Sequence, residues 1–417
     1  MKNKILFFEP ETSDQLLGHH LDTMIETSIF LKNKKNEIIW FLNKKFNKNN
    51  YYIPKHINVQ NVVETAKRKF LSIKTIILII NISLKNLFYY FFFLFYFLLK
   101  GKIGSLIKAI ASNCFTLPKY FPSFYFNYKN LNMLENDNIV IPSSRDNDIE
   151  LFYFLYILEK KIPNLHFKIL YPPKEKKIKN FFFYLRKINT LKEINNKFNF
   201  YSEVNYTKRI IKKKLNIKIN NFSHAFSFSV KRYKKKNITI GFLGAATVEK
   251  GFVKLPDLIL KLQKKLKNLK FIIQITNINK TVEDAARKII NIAKKNNKIK
   301  IIYNYQDYKS YRNLLKKINI IPLMYEPGYF KKRGSGIFFS CITNEIPMVI
   351  PQNCSLWKNF LNKKYKNFEE AKNLNEFYKR IIYMSKNYKY FLNQAKKQSL
   401  NYKQILKKDI MLKRITS

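Results

Sequence analysis

Two pairings of glycine with a cation mark the C-terminal half of the chain. Lys250-Gly251 closes ITIGFLGAATVEKGF, six residues after Gly244, and Arg333-Gly334-Ser335-Gly336 precedes the apolar run IFFSC. Glycine lets backbone N–H groups approach a ligand, and a cation beside it supplies charge, so each pairing suits a phosphate. At the second, the free N–H groups of a helix start would add to the attraction. Each also has a plain reading. Lys250 would be one more solvated lysine in a basic chain, and Ser335-Gly336 an N-cap followed by a turn residue. Tyr325, Glu326 and Tyr329 share the loop before Arg333, and Glu326 is one of few acids there, suited to hydroxyls. Near the N-terminus, Gly18-His19-His20 could bind hydroxyls or phosphate, move a proton, or pack on a helix start. Two histidines without further ligands are no metal site.

The elements around these residues alternate. A continuous apolar run at 5–8 reads as a buried parallel strand and 37–42 as a second strand, with a helix over 20–32 between them. That helix places Leu21, Met24, Ile25, Ser28, Ile29 and Leu31 near one face. Further strands are expected at 138–142, 166–171 and 198–201, and helices from Ile149 (capped by Asp146 or Asp148), over 174–196 and over 203–215. The lysine-rich KRYKKKN is a connector. Beyond it, strands at 238–243, 271–276, 299–303, 318–323 and 347–350 alternate with helices at 255–266, 281–295, 308–316 and 336–344. This predicts an α/β protein of two Rossmann-like domains, with ligands at the strands' C-terminal ends. The expected division is 1–232, 233–373 and a helical tail, 374–417, that could cross back to the first domain.

Composition sets the partners. The formal charge is +52, from 79 Lys+Arg against 27 Asp+Glu. Joint excess of Lys, Asn, Ile, Phe and Tyr points to A/T-rich codons, but that bias leaves the scarcity of acids unexplained. Attraction to an anionic surface therefore survives. No zinc-finger spacing, RNP-like motif or basic dimerising helix is present, so a specific nucleic-acid partner is not expected. Cys114, Cys341 and Cys354 form no C-x-x-C and read as small buried hydrophobes in a reducing compartment. The apolar run after MKNK is too short for a secretory signal, which points to the cytoplasm.

Residues 75–99, TIILIINISLKNLFYYFFFLFYFLL, have the length of a membrane span but carry Asn81, Ser83, Lys85 and Asn86 inside. A span, an interfacial hairpin and a buried core helix are all open. The polar break and aromatic density favour the interfacial form, held on the inner face of a membrane.

The order strand, Gly244, Lys250-Gly251, then IPLMYE, Ser335-Gly336 before a helix, and PMVIP resembles the C-terminal half of GT-B-fold glycosyltransferases of the group 1 kind. The resemblance implies two Rossmann-like domains facing across a cleft and transfer of a sugar from a nucleotide-sugar donor. It also implies retention in most cases, with no metal and no cofactor. It places Lys250 and the helix start at Ser335-Gly336 on the donor diphosphate, Gly244 in the same loop, and Gly18-His19-His20 on the acceptor side. His19, His20 and Glu326 are the candidates for contact with reacting groups. The chain departs from the family at Ala245, where an Arg is common, and at Ser340, where a helix Glu holds the ribose. Arg333 could replace the lost cation, and Ser340 could still bond a ribose hydroxyl. The expected acceptor is a lipid-linked or cell-envelope glycan. The altered carboxylate pair also raises a catalytically silent binding or scaffold protein of the same fold.

Overall fold

A computed structural model describes residues 2–10, 20–33, 35–63, 95, 98, 99, 120–159, 161–169, 183, 185–189, 196–222, 237–354 and 360–416. The chain forms two compact units. The first holds Met1–His20, Leu31–Ser202 and Lys208–Asn220, and the second Leu21–Phe30, Glu203–Thr207 and Asn221–Ser417.

The first sheet contains β1 (Asn3–Glu9), β2 (Asn36–Asn43), β3 (Ile57–Val63), β4 (Asn138–Ile141), β5 (Asn164–Lys168), β6 (Phe198–Ser202) and β7 (Asn220–Asn221). Their order is 3-2-1-4-5-6-7, and β1 to β6 pair in parallel. β1 reads NKILFFE, and its last five residues are buried, as a strand covered on both faces requires. The first apolar core gathers aromatic rings from β1, β2, α2 (Phe121–Asn130) and α3 (Asp146–Glu159), with Phe8 edge-on to both Phe124 and Phe152. α3 is held at its start by Asp148, whose carboxylate accepts the Arg145 N–H at 2.8 Å. His166, fully buried, is fixed by Asn138 Oδ1 at 2.9 Å and the Tyr201 hydroxyl at 3.1 Å.

The second unit repeats the plan. β8 (Thr239–Phe242), β9 (Lys270–Gln274) and β10 (Ile299–Ile302) form one parallel set. β11 (Ile321–Pro322), β12 (Met348–Pro351) and β13 (Phe368–Ala371) form another. A parallel bridge from Ile240 to Ile320 joins β8 to β11, with the Gly241 N–H on the Ile320 carbonyl at 2.9 Å. The resulting order, 10-9-8-11-12-13, reverses direction at β8/β11, so ligands are expected beyond the C-terminal ends there. Gly241 permits the join: a Cβ there would fall 2.5 Å from Ile318 Cδ1. α4 (Asn205–Leu215) follows β6, and amphipathic α5 (Leu255–Lys265), α6 (Glu283–Lys294) and α7 (Tyr308–Lys317) connect strands of the second unit. α10 (Leu374–Lys386), α11 (Tyr388–Lys407) and α12 (Ile410–Thr416) follow β13 and lie within the second unit.

The predicted alternation holds, with corrections. β3, β7, β13 and α2 were not expected. β13 makes six strands in the second unit rather than five, and β5 begins two residues before its expected start. On α1 (His20–Leu31) the expected apolar face is buried except at Ile29, which is 38% exposed. Its Glu26 is buried instead, accepting from the Tyr308 hydroxyl at 2.7 Å, with Arg312 3.5 Å away. Cys341 and Cys354 are buried, as expected, and Cys114 lies outside the described residues. The apolar segment 75–99 lies outside the described residues except Phe95, Leu98 and Leu99, which are helical. Among the described residues no helix is long and apolar enough to cross a membrane.

Candidate anion-binding site

Gly244 is where the site converges. It follows β8 with φ +92°, a conformation that side chains rarely adopt. Its N–H donates to Gln274 Oε1 at 2.8 Å, and Gln274 Nε2 reaches on to the Asn304 carbonyl at 3.1 Å. A Cβ on Gly244 would lie 2.9 Å from Lys250 Nζ and 2.8 Å from Ile337 Cδ1. Lys250 therefore rests over the glycine backbone, beside the first turn of α9 (Gly336–Thr343).

The lysine is carried by a 3-10 turn, Val248–Lys250, closed by Gly251 at φ +76°. The Gly251 N–H bonds the Val248 carbonyl at 2.8 Å, and a Cβ on Gly251 would fall 2.5 Å from the Met324 carbonyl oxygen. Next to it the Glu326 N–H bonds the Glu249 carbonyl at 2.8 Å. Backbone alone thus fastens the lysine turn to the loop after β11. Burial pulls the Lys250 ammonium down to about 8, against a smaller opposing pull from Glu249. A desolvated cation of this kind gains strongly from an arriving anion.

On α9, Ser335 is extended at φ −144° and its Oγ accepts the Phe338 N–H at 3.3 Å. The same Oγ shares a 2.8 Å hydrogen bond with the buried Tyr325 hydroxyl, whose ring stacks on Phe330 with centroids 3.9 Å apart. Burial raises the Tyr325 phenol far above its ordinary range and keeps it neutral. Ser335 is thus the N-cap, and the cap is clamped from below. Ser335→Ala should cost about 1–2 kcal/mol, from the lost cap and the lost hydrogen bond to Tyr325. A lower urea midpoint would show it. Tyr325→Phe in the same background should cost less than in the wild-type chain, because the bond to Ser335 is already gone.

Among the residues expected from sequence, Gly244, Lys250, Ser335 and Gly336 come together. Arg333 lies in the adjoining loop, its guanidinium 4.4 Å from the centre of the Tyr329 ring. The Tyr329 phenol is raised by burial; Arg333 opposes this and Glu249 adds to it, so the three share one neighbourhood. Glu326 is exposed at the start of the short helix α8 (Pro327–Phe330). Ser340 is buried, one turn after Gly336. Gly18 and His19 lie outside the described residues, and His20 is placed only as the first residue of α1. Sequence reasoning missed Gln274, the bond from Tyr325 to Ser335, and Glu203. The Glu203 carboxylate packs on Gly334, in space that any Cβ would fill. Among the described residues, no group of three or more His, Cys, Asp or Glu could hold a metal.

No protein-family model matches the chain, and no curated protein matches it by sequence. Solved structures do. Anabaena Alr3699/HepE in complex with UDP-glucose superposes with a TM-score of 0.58 at 10% identity, over 96% of this chain and 95% of that one. A glycosyltransferase from Rickettsia africae gives 0.56 at 13% identity, over 99% and 98%. Sucrose-phosphate synthase from Thermosynechococcus elongatus gives 0.53 at 7%, over 98% and 99%. At these identities the likeness is one of fold. The fold is that of the GT-B glycosyltransferases, as the loop pattern around Lys250 and Ser335 led us to expect.

Proposed function

We propose that the chain is a glycosyltransferase that takes a nucleotide-sugar donor in its second unit and transfers the sugar to a lipid-linked or cell-envelope glycan. The observation that carries this is the half-buried Lys250 ammonium over Gly244, against the first turn of α9. Such a site fits the diphosphate that leaves with the nucleotide. Charge develops on that group as the sugar–phosphate bond breaks. Lys250, the α9 N–H groups and nearby Arg333 would stabilise it where water is displaced. Glu326, on the exposed edge of the same loop, would orient the sugar hydroxyls. Gly18, His19 and His20 would face the acceptor. Neutralising the diphosphate through these cations and N–H groups requires no metal. The high positive charge would hold the enzyme at the inner face of an anionic membrane. HepE, which is known with UDP-glucose, supports the donor class by its fold.

Ser340, where the group 1 resemblance implies a carboxylate, favours one second reading, a protein that binds the donor without turning it over. Calorimetric titration with uridine and guanosine diphosphates, followed by a transfer assay with the sugar form that binds, separates the two. We expect micromolar binding of one nucleotide series and release of its diphosphate. Binding without release would support the silent protein, and no binding to any member would remove both readings.

A further inference from the structure

The outer face of α11 is not built like a surface that meets only water. Its inner face is buried, and there Tyr402 packs on Phe339 of α9 with ring centroids 5.8 Å apart. The opposite face runs Tyr390, Asn393, Lys397, Leu400, Gln404 and Lys407 in steps of three and four, and every one of them is exposed. The helix has five lysines and no Asp or Glu in its 20 residues. From Phe377 to Ser417 the only acid is Asp409, which is buried, its carboxylate accepting the Met411 and Leu412 N–H groups. Among the lysines stand two large apolar side chains, Tyr390 at 52% and Leu400 at 60% exposure. Tyr383, near the end of α10, is also exposed, and it and Tyr390 both meet the Phe391 ring edge-on, at 5.7 and 5.2 Å. The combination matters more than either part. α2, α4 and α7 also lack acids, but none exposes a large apolar side chain, and α5 exposes Leu260 but carries Asp257. Codon bias supplies lysine, but it neither clears a helix of acids nor leaves a leucine in water.

We infer that this face of α11, with Tyr383 beside it, docks on an anionic membrane. A helix of this length runs about 30 Å and can lie along the headgroups. Its lysines meet the negative surface, and Leu400 reaches the acyl boundary. Tyr383 and Tyr390 suit the same depth, because a tyrosine ring is apolar and its hydroxyl is wet. A nucleic acid would take the lysines but gains nothing from an exposed leucine set in line with them. The face rests on the membrane attraction proposed above and fixes where it acts, for a catalytic and for a silent protein alike.

The test is co-sedimentation of the full chain with vesicles of phosphatidylcholine alone and of an equal mixture with phosphatidylglycerol. Three double variants are compared with the wild type, all at exposed positions and all expected to melt with it. Lys397→Gln with Lys407→Gln should weaken binding to the mixed vesicles about 10–30-fold, from roughly fivefold for each lysine at the surface. Tyr390→Ser with Leu400→Ser should weaken it about tenfold, through lost apolar insertion at unchanged charge. Lys288→Gln with Lys294→Gln, on α6, removes the same charge elsewhere and should cost about twofold at most, because charges beyond a Debye length from the membrane are screened. An equal loss in the α6 pair would overturn the inference, since total charge rather than this face would then hold the protein. Full binding by Tyr390→Ser with Leu400→Ser would overturn it as well, and so would tighter binding of the wild type to arbitrary DNA than to mixed vesicles. If the wild type ignores both kinds of vesicle, the membrane attraction itself fails, and the face fails with it.

Discussion

Lys250→Ala should reduce transfer about 10²–10³-fold while leaving the protein more stable at neutral pH. The two effects have one cause. Burial lowers the ammonium to about 8 from an ordinary value near 10.5. At pH 7 the lysine is charged in the folded and the unfolded chain, and the folded chain bears the cost of holding that charge away from water. The shift corresponds to on the order of 3 kcal/mol of destabilisation below pH 8. Between about 8 and 10.5 the folded chain binds fewer protons than the unfolded one, so stability rises with pH and the penalty is relieved. Lys250→Met should therefore raise the urea midpoint at pH 7, with a gain that shrinks to the plain packing difference above pH 10.5. Donor affinity should move the other way. It should be constant below about pH 8 and fall above it, because binding must then take up a proton. Calorimetry at pH 9 in buffers of different ionisation enthalpy would register that uptake. Full transfer activity in Lys250→Ala would remove the lysine from the site.

A residue that destabilises its own fold at working pH belongs to function rather than packing, and this distinction governs what could be read in advance. The central strands were legible because β1, β2 and β8 each carry an unbroken buried run, ILFF, IIWFL and IGF. β13, FEEA, was not. Its Glu369 is buried against Lys366 at 3.1 Å and Arg380 at 3.3 Å, so its fitness as a strand depends on partners outside its own sequence. β3, INVQNVV, carries the polar positions of an outer strand, and α2, FPSFYFNYKN, carries aromatic residues of high strand propensity on a helix. Lys250 and Ser335 were legible because glycine beside a cation, and serine before an apolar run, are local signals. Gln274 carries no such signal. It matters because register places it between Gly244 and Asn304, which arises only once β8, β9 and β10 are side by side.

The same reasoning makes Gly251 the position where the smallest change should do the most damage. Gly251→Val meets two obstacles. The backbone is left-handed at φ +76°, which costs roughly 1–2 kcal/mol for a residue with a Cβ and more for a β-branched one. The Cβ itself would fall 2.5 Å from the Met324 carbonyl oxygen, a rigid backbone atom. Overpacking of this kind adds about 1–3 kcal/mol. The turn can escape only by pulling away from the loop after β11, which breaks the bond from the Glu326 N–H to the Glu249 carbonyl. Lys250 is adjacent in the chain and would leave its place over Gly244. The expected result is a urea midpoint lowered by the equivalent of about 2–4 kcal/mol, together with loss of nucleotide binding in the fraction that remains folded. Gly251→Ala isolates the contribution of the β-branch. It keeps the positive-φ strain and the clash but omits the β-branch, so it should be milder in stability yet similar in binding. Gly251→Asn tests the backbone term, since asparagine tolerates the left-handed region better than other side chains. If its stability matches that of Gly251→Ala, the contact with Met324 rather than backbone strain fixes glycine here. Wild-type binding in Gly251→Val would mean that the seating of this turn does not set where Lys250 stands.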